Sequence, residues 1–151
     1  MPNYSNLNLQ KSQFFLILDN ETRLRFPVNF AKEVMKIVIF DEDLRSEMQM
    51  YLALSNHYDV TVAEDEDDLM QLLERDAADF TFLDLDSGQK KKKNKKSMEI
   101  ASRIQKRHPK IELVGICDNQ NAGITQLAAG LGIKRVVTRP IKNRELLDVI
   151  G

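Results

Sequence analysis

The chain has 151 residues, a formal net charge of -1, 42% hydrophobic and 30% charged residues. These proportions suit one globular domain with some decoration, and they exclude a global field favouring nucleic acid or an acidic membrane. A single cysteine, Cys117, excludes an intrachain disulfide and suits a reducing compartment. No apolar run approaches a membrane span. The short FFLIL near the start lacks a signal peptide's cationic lead and soon meets Asp19 and Glu21, so a cytoplasmic protein is expected.

Residues 1–34 read as an N-terminal extension. The opening MPNYSNLNLQKS is polar and is expected to be disordered. FFLILDNETRLRFPV reads as a β-hairpin: Leu24, Phe26 and Val28 alternate with Arg23, Arg25 and Pro27, and the turn falls near Asp19 and Asn20. Pro27 would put its strand at an edge. Such a hairpin either covers a sheet edge or adds a strand to a partner or to a second copy as a homodimer, and the sequence leaves these open.

From Met35 onward, short apolar runs alternate with amphipathic segments. The runs are Ile37–Phe40, Tyr58–Ala63, Phe80–Leu83, Ile111–Ile116 and Ile133–Val137, rich in Val, Ile and Phe as strands buried on both faces are. Between them, helical spacing links Leu44, Met48, Tyr51 and Leu52, then Leu69, Leu72 and Leu73, then Ile100 and Ile104. It continues through Ile124, Leu127, Ala128 and Leu131, and ends with Leu146, Leu147 and Ile150. Five strand–helix units predict an open α/β parallel sheet with helices on both faces and a ligand site at the carboxyl ends of the strands. SGQKKKKNKKS, residues 87–97, interrupts this rhythm and reads as a solvated basic loop or a docking element for an acidic partner. It has no interleaved aromatics for base stacking, so nucleic acid is not the expected partner.

The strand ends carry the chemistry. Asp41 and Glu42 follow the first run, Asp84 ends the third in FTFLDLD, Cys117 ends the fourth in LVGICDN, and Arg139 follows the fifth in VVTRP. Clustered carboxylates supply hard oxygen ligands suited to Mg²⁺, and a carboxylate beside such a metal can attack a phosphoryl group. A basic residue opposite would steady the phosphoryl oxygens. The plainer readings are that the acids only cap helices, that Cys117 is a small buried apolar residue, and that Arg139 is a surface ion-pair partner. Asp43 reads as helix-start decoration.

In order and spacing, the acidic pair Asp41–Glu42, FLDLD around Asp84, AAGLGI and TRPIKNRELL resemble the receiver domain of two-component response regulators, chemotaxis-type or CheY-like, over residues 35–151. The resemblance implies a flavodoxin-like doubly wound five-stranded parallel sheet. It implies that Asp84 accepts a phosphoryl group from a sensor histidine kinase or phosphotransfer protein. It further implies that Asp41, Glu42, Asp84 and the Asp86 main-chain carbonyl hold Mg²⁺, and that the chain signals by contact with an output protein and is not an enzyme. Several positions depart from the family: Arg139 replaces Lys, Cys117 replaces Thr or Ser, Val136 replaces an aromatic residue, and Ser87–Gly88 replaces Met-Pro in a longer loop. Arginine is forked and planar where lysine is a point charge, and a thiol is the weaker donor. These departures make the chain an atypical member and raise the alternative of a phosphate-independent pseudo-receiver. FDEDL also matches the start of haloacid-dehalogenase-type phosphatases, with Asp41 as nucleophile and Asp43 as acid/base. Leu44 stands where that family has Thr or Val, and Asp84 would have no role.

Overall fold

A computed structural model of the chain describes residues 34–86, 93–119 and 122–151. The expected hairpin lies outside the described residues. Five short segments rich in β-branched and aromatic residues form the strands β1 (Lys36–Phe40), β2 (Asp59–Val62), β3 (Phe80–Asp84), β4 (Glu112–Cys117) and β5 (Arg135–Thr138). They build one all-parallel sheet in the order β2-β1-β3-β4-β5. The helices α1 (Leu44–Leu54), α2 (Glu66–Arg75), α3 (Lys93–Arg107), α4 (Ala122–Gly130) and α5 (Asn143–Ile150) follow the strands in strict alternation.

Side-chain alternation along the strands sorts the core into two layers. Val38, Phe40, Leu83 and Leu113 face α2, α3 and α4 through Leu69, Leu73, Ile100, Ile104 and Ala128. Ile37, Ile39, Phe82, Val114 and Ile116 face α1 and α5 through Met50, Leu54, Leu146 and Ile150. The strand order reverses at β1, which has β2 on one side and β3 on the other. This switch point opens a crevice at the carboxyl ends of β1 and β3, the usual ligand position in open α/β sheets. The five-unit α/β architecture expected from the sequence is thus the one observed.

Two elements differ from their sequence reading. Leu44, Met48, Tyr51 and Leu52 of α1 are exposed, while Ser46, Met50 and Leu54 face inward. The Asp43 side chain caps α1 by accepting from the Arg45 and Ser46 amides, and the Ser46 hydroxyl donates to Asp41. That contact turns Ser46 inward, and its i+4 and i+8 neighbours follow. The apolar stripe two residues earlier then lies on the opposite face. The lysine-rich stretch is also not a loop throughout, because α3 begins at Lys93. Lysine is a good helix former, and buried Ser97, Ile100, Ala101 and Ile104 anchor that helix on the sheet.

Gly132, at φ 75°, closes α4 in the left-handed conformation, and the Ile133 amide donates back to Ala128 O at 2.8 Å. Gly115, in the middle of β4, answers a different constraint. A Cβ there would sit 2.7 Å from Leu85 Cδ1 and 3.1 Å from its Cγ. We expect Gly115→Val to destabilise the fold by about 1–3 kcal/mol through overpacking, measured as a lower urea midpoint at unchanged slope. Leu52→Ala, on the exposed face of α1, should stay within roughly 0.5 kcal/mol of wild type.

Candidate functional site

The crevice is assembled from the ends of β1, β3, β4 and β5. After β1 the chain leaves the sheet at Asp41, whose side chain is fully buried. Asp41 Oδ1 accepts the Asp43 amide at 2.9 Å and Oδ2 accepts the Ser46 hydroxyl. The carboxylate thereby organises its own turn and the first turn of α1. Asp84 ends β3 and is buried. Its Oδ1 accepts the Asp86 amide at 2.8 Å, its Oδ2 accepts the Glu42 amide at 3.1 Å, and its carbonyl accepts the buried Ser97 hydroxyl at 2.9 Å. Asp84 is thus tied by its carboxylate to the β1–α1 loop and to its own loop, and by its carbonyl to α3.

Arg139 closes the site from β5. Its amide donates to Cys117 O at 2.8 Å, which extends the β4–β5 pairing to the pocket's edge. A cis peptide joins it to Pro140. The guanidinium, 10% exposed, uses all three of its nitrogens. Nη2 lies 2.6 Å from Asp41 Oδ1 and 2.9 Å from Asp84 Oδ2, Nη1 lies 3.0 Å from Asp118 Oδ1, and Nε donates to Ser46 Oγ at 3.1 Å. Asp86 at 3.7 Å and Asp43 at 3.8 Å complete a ring of acids around it.

Of the residues singled out in the sequence, Asp41, Asp84, Asp86 and Arg139 come together. The Glu42 carboxylate pairs with Lys96 Nζ at 3.4 Å. It lines a cavity of about 310 Å³ together with Asp41, Glu47, Glu64, Asp65 and Lys96. Cys117 is fully buried in the core layer of α2–α4, and burial pushes its thiol up, with a hydrogen bond to Thr138 pulling the other way. It reads as a small core residue at the pocket's floor. The sequence reading missed Ser46 and Asp118, which hold the guanidinium fork, and Ser97, which holds the Asp84 carbonyl. Asp118 directly follows Cys117 at a strand end, a position where it could have been noticed. Ser46 carries no local signal, because it enters the pocket only through the phase of α1.

The donor chemistry suits Mg²⁺ but the arrangement does not fit it. Each inward-facing oxygen, Asp41 Oδ1 and Asp84 Oδ2, already receives an amide and the guanidinium. Among the described residues, no three His, Cys, Asp or Glu side chains gather so as to hold a metal ion.

Burial pushes the Asp84 carboxyl up to about 6, against the pull of Arg139 and of the Asp86 and Glu42 amides. In the unfolded chain the same group titrates near about 3.9. Between those values the unfolded chain releases a proton that the folded protein keeps, so stability falls as pH rises through this window and is level above it. Asp84→Asn, which stays neutral, should therefore gain about 1–3 kcal/mol over wild type at pH 7.5 in EDTA. The gain should shrink towards zero near pH 4, as read from urea unfolding at both pH values.

No protein-family model matches the chain, and no curated protein matches it. Solved structures do. A response regulator from Thermotoga maritima superposes with a TM-score of 0.70 at 17% identity, covering 78% of this chain and 95% of that one. The chemotaxis protein CheY4 of Vibrio cholerae gives 0.69 at 12% identity, covering 78% and 97%. The receiver domain of NtrX from Brucella abortus gives 0.66 at 21% identity, covering 76% and 93%. At these identities the likeness is one of fold, and it agrees with the strand order and the two-faced core: the described chain has the CheY-like fold of response regulator receiver domains.

Proposed function

We propose that residues 35–151 form a receiver-type signalling module of two-component, phosphorelay signal transduction, with Asp84 as phosphoacceptor and residues 1–34 as a separate extension. The observation that carries the reading is the place of Asp84. It is a buried carboxylate at the carboxyl end of the central strand, beside the switch point, with the Arg139 cation 2.9 Å from one oxygen. An attacking carboxylate forms an acyl phosphate, and a cation opposite it steadies the phosphoryl oxygens. The Glu42 and Asp86 amides hold the carboxylate in orientation for that attack. The phosphoryl group would come from the phosphohistidine of a sensor histidine kinase or phosphotransfer protein, and output would follow by contact with another protein. Cys117 stands where the family has a hydroxyl that follows the phosphoryl group. Mg²⁺, the family's cofactor, takes no step in this reading, since Arg139 holds the position between Asp41 and Asp84.

The neighbours named as response regulator and chemotaxis proteins support a signalling module over an enzyme. The phosphatase reading draws no support from Asp43, whose carboxylate caps α1. A second reading, a phosphate-independent pseudo-receiver, is favoured by the guanidinium already paired with Asp84 and by the missing hydroxyl at Cys117. No helix among the described residues is long and apolar enough to cross a membrane.

The test is incubation with acetyl phosphate, with and without Mg²⁺, followed by intact mass for wild type and Asp84→Asn. A single phosphoryl adduct on wild type that is absent from Asp84→Asn is the expected result. No adduct under either condition would replace the phosphoacceptor with the phosphate-independent module.

A further inference from the structure

We infer that Arg139 takes the place of a divalent cation in the acidic pocket, so that the site is charge-balanced by its own chain and binds Mg²⁺ only when the guanidinium is withdrawn. The inference rests on reading Asp41 and Asp84 as the two halves of a receiver-type pocket. Clustered carboxylates repel unless positive charge shares the space. Here the positive charge is covalently tethered, and it sits between two of the carboxylates that would hold a metal. Nη2 contacts Asp41 Oδ1 at 2.6 Å and Asp84 Oδ2 at 2.9 Å.

The geometry opposes a second cation between Asp41 and Asp84. Mg²⁺ demands a near-ideal octahedral shell of oxygens at about 2.0–2.1 Å. Each of the two bridged oxygens already accepts two donors, and a cation entering there would meet the guanidinium at close range. Arg139 cannot swing aside at small cost, because Ser46 and Asp118 hold its other two nitrogens. A lysine would present a single compact ammonium on a flexible stem. Its one nitrogen could pair with the carboxylates but could not also reach Ser46 and Asp118, so it would be held less firmly and would fill less of the space beside Asp41. The difference between the two side chains is therefore one of occupancy as well as charge.

Mg²⁺ binding measured without any phosphodonor tests this, so a failure of Asp84 to accept phosphate leaves the inference standing. The full chain would be titrated with MgCl₂ by ¹H–¹⁵N NMR, in wild type, Arg139→Ala and Arg139→Lys. The amides of Glu42, Asp43 and Asp86 are the reporters. Both variants should show saturable shifts at these amides, with affinity at least about tenfold above wild type. If Arg139→Ala fails to fold with its carboxylates unpaired, Arg139→Lys, which keeps the charge, carries the comparison alone. Wild type binding Mg²⁺ as tightly as the folded variants overturns the inference. So does the absence of Mg²⁺-dependent shifts at the three amides in every folded variant.

Discussion

A single guanidinium surrounded by carboxylates is the constraint on which this molecule turns. Asp41, Asp43, Asp84, Asp86 and Asp118 all present oxygens within 2.6–3.8 Å of Arg139 nitrogens, and the innermost two are almost fully shielded from water. Buried ions are tolerated only when paired and hydrogen-bonded, since desolvation is costly and an uncompensated charge costs more still. Here Asp41, Asp43, Asp84 and Asp86 each also accept a backbone amide, and the members are drawn from the ends of β1, β3, β4 and β5. The pocket consequently stitches together strands that are joined elsewhere only by their ladder bonds and helices.

That stitching reaches the helices. The Ser46 hydroxyl is bound to Asp41 and receives Arg139 Nε, and it thereby sets the rotation of α1. Gln49, one turn on, donates to the Ile141 carbonyl and to Asn143 Oδ1, clipping α1 to the loop after Pro140. Ser97 ties α3 to the carbonyl of Asp84. A change in charge at Asp84 would be felt first by Arg139 and then, through these contacts, at α1 and the β5–α5 loop.

The Asp84 carboxylate is also held in an environment that disfavours its charge. Its burial outweighs the help of a neighbouring cation and two amides, leaving it easier to protonate than an ordinary aspartate. Stability has been given up at the one position that the proposed chemistry requires. Gly115 shows the complementary economy nearby, where Leu85, the residue after Asp84, fills the space a side chain on β4 would need.

The order of apolar runs, their β-branched content and the acids at their ends were enough to specify a five-unit parallel α/β sheet and to nominate Asp41, Asp84 and Arg139. Those features are local: a strand buried on both faces is largely apolar, and its charged residues fall where it begins or ends. The phase of α1 was not legible, because Leu44, Met48, Tyr51 and Leu52 form as regular a stripe as a core face does. Only the cap at Asp43 and the pull of Asp41 on Ser46 decided which side turned inward. Nor could the sequence show that Arg139 would lie between Asp41 and Asp84 while the Glu42 carboxylate paired with Lys96. Residues about a hundred positions apart meet there through the crossover of β3 between β1 and β4. The sequence determined which charges exist at the strand ends; the tertiary structure decided which of them share a pocket, because only the strand order sets their distances.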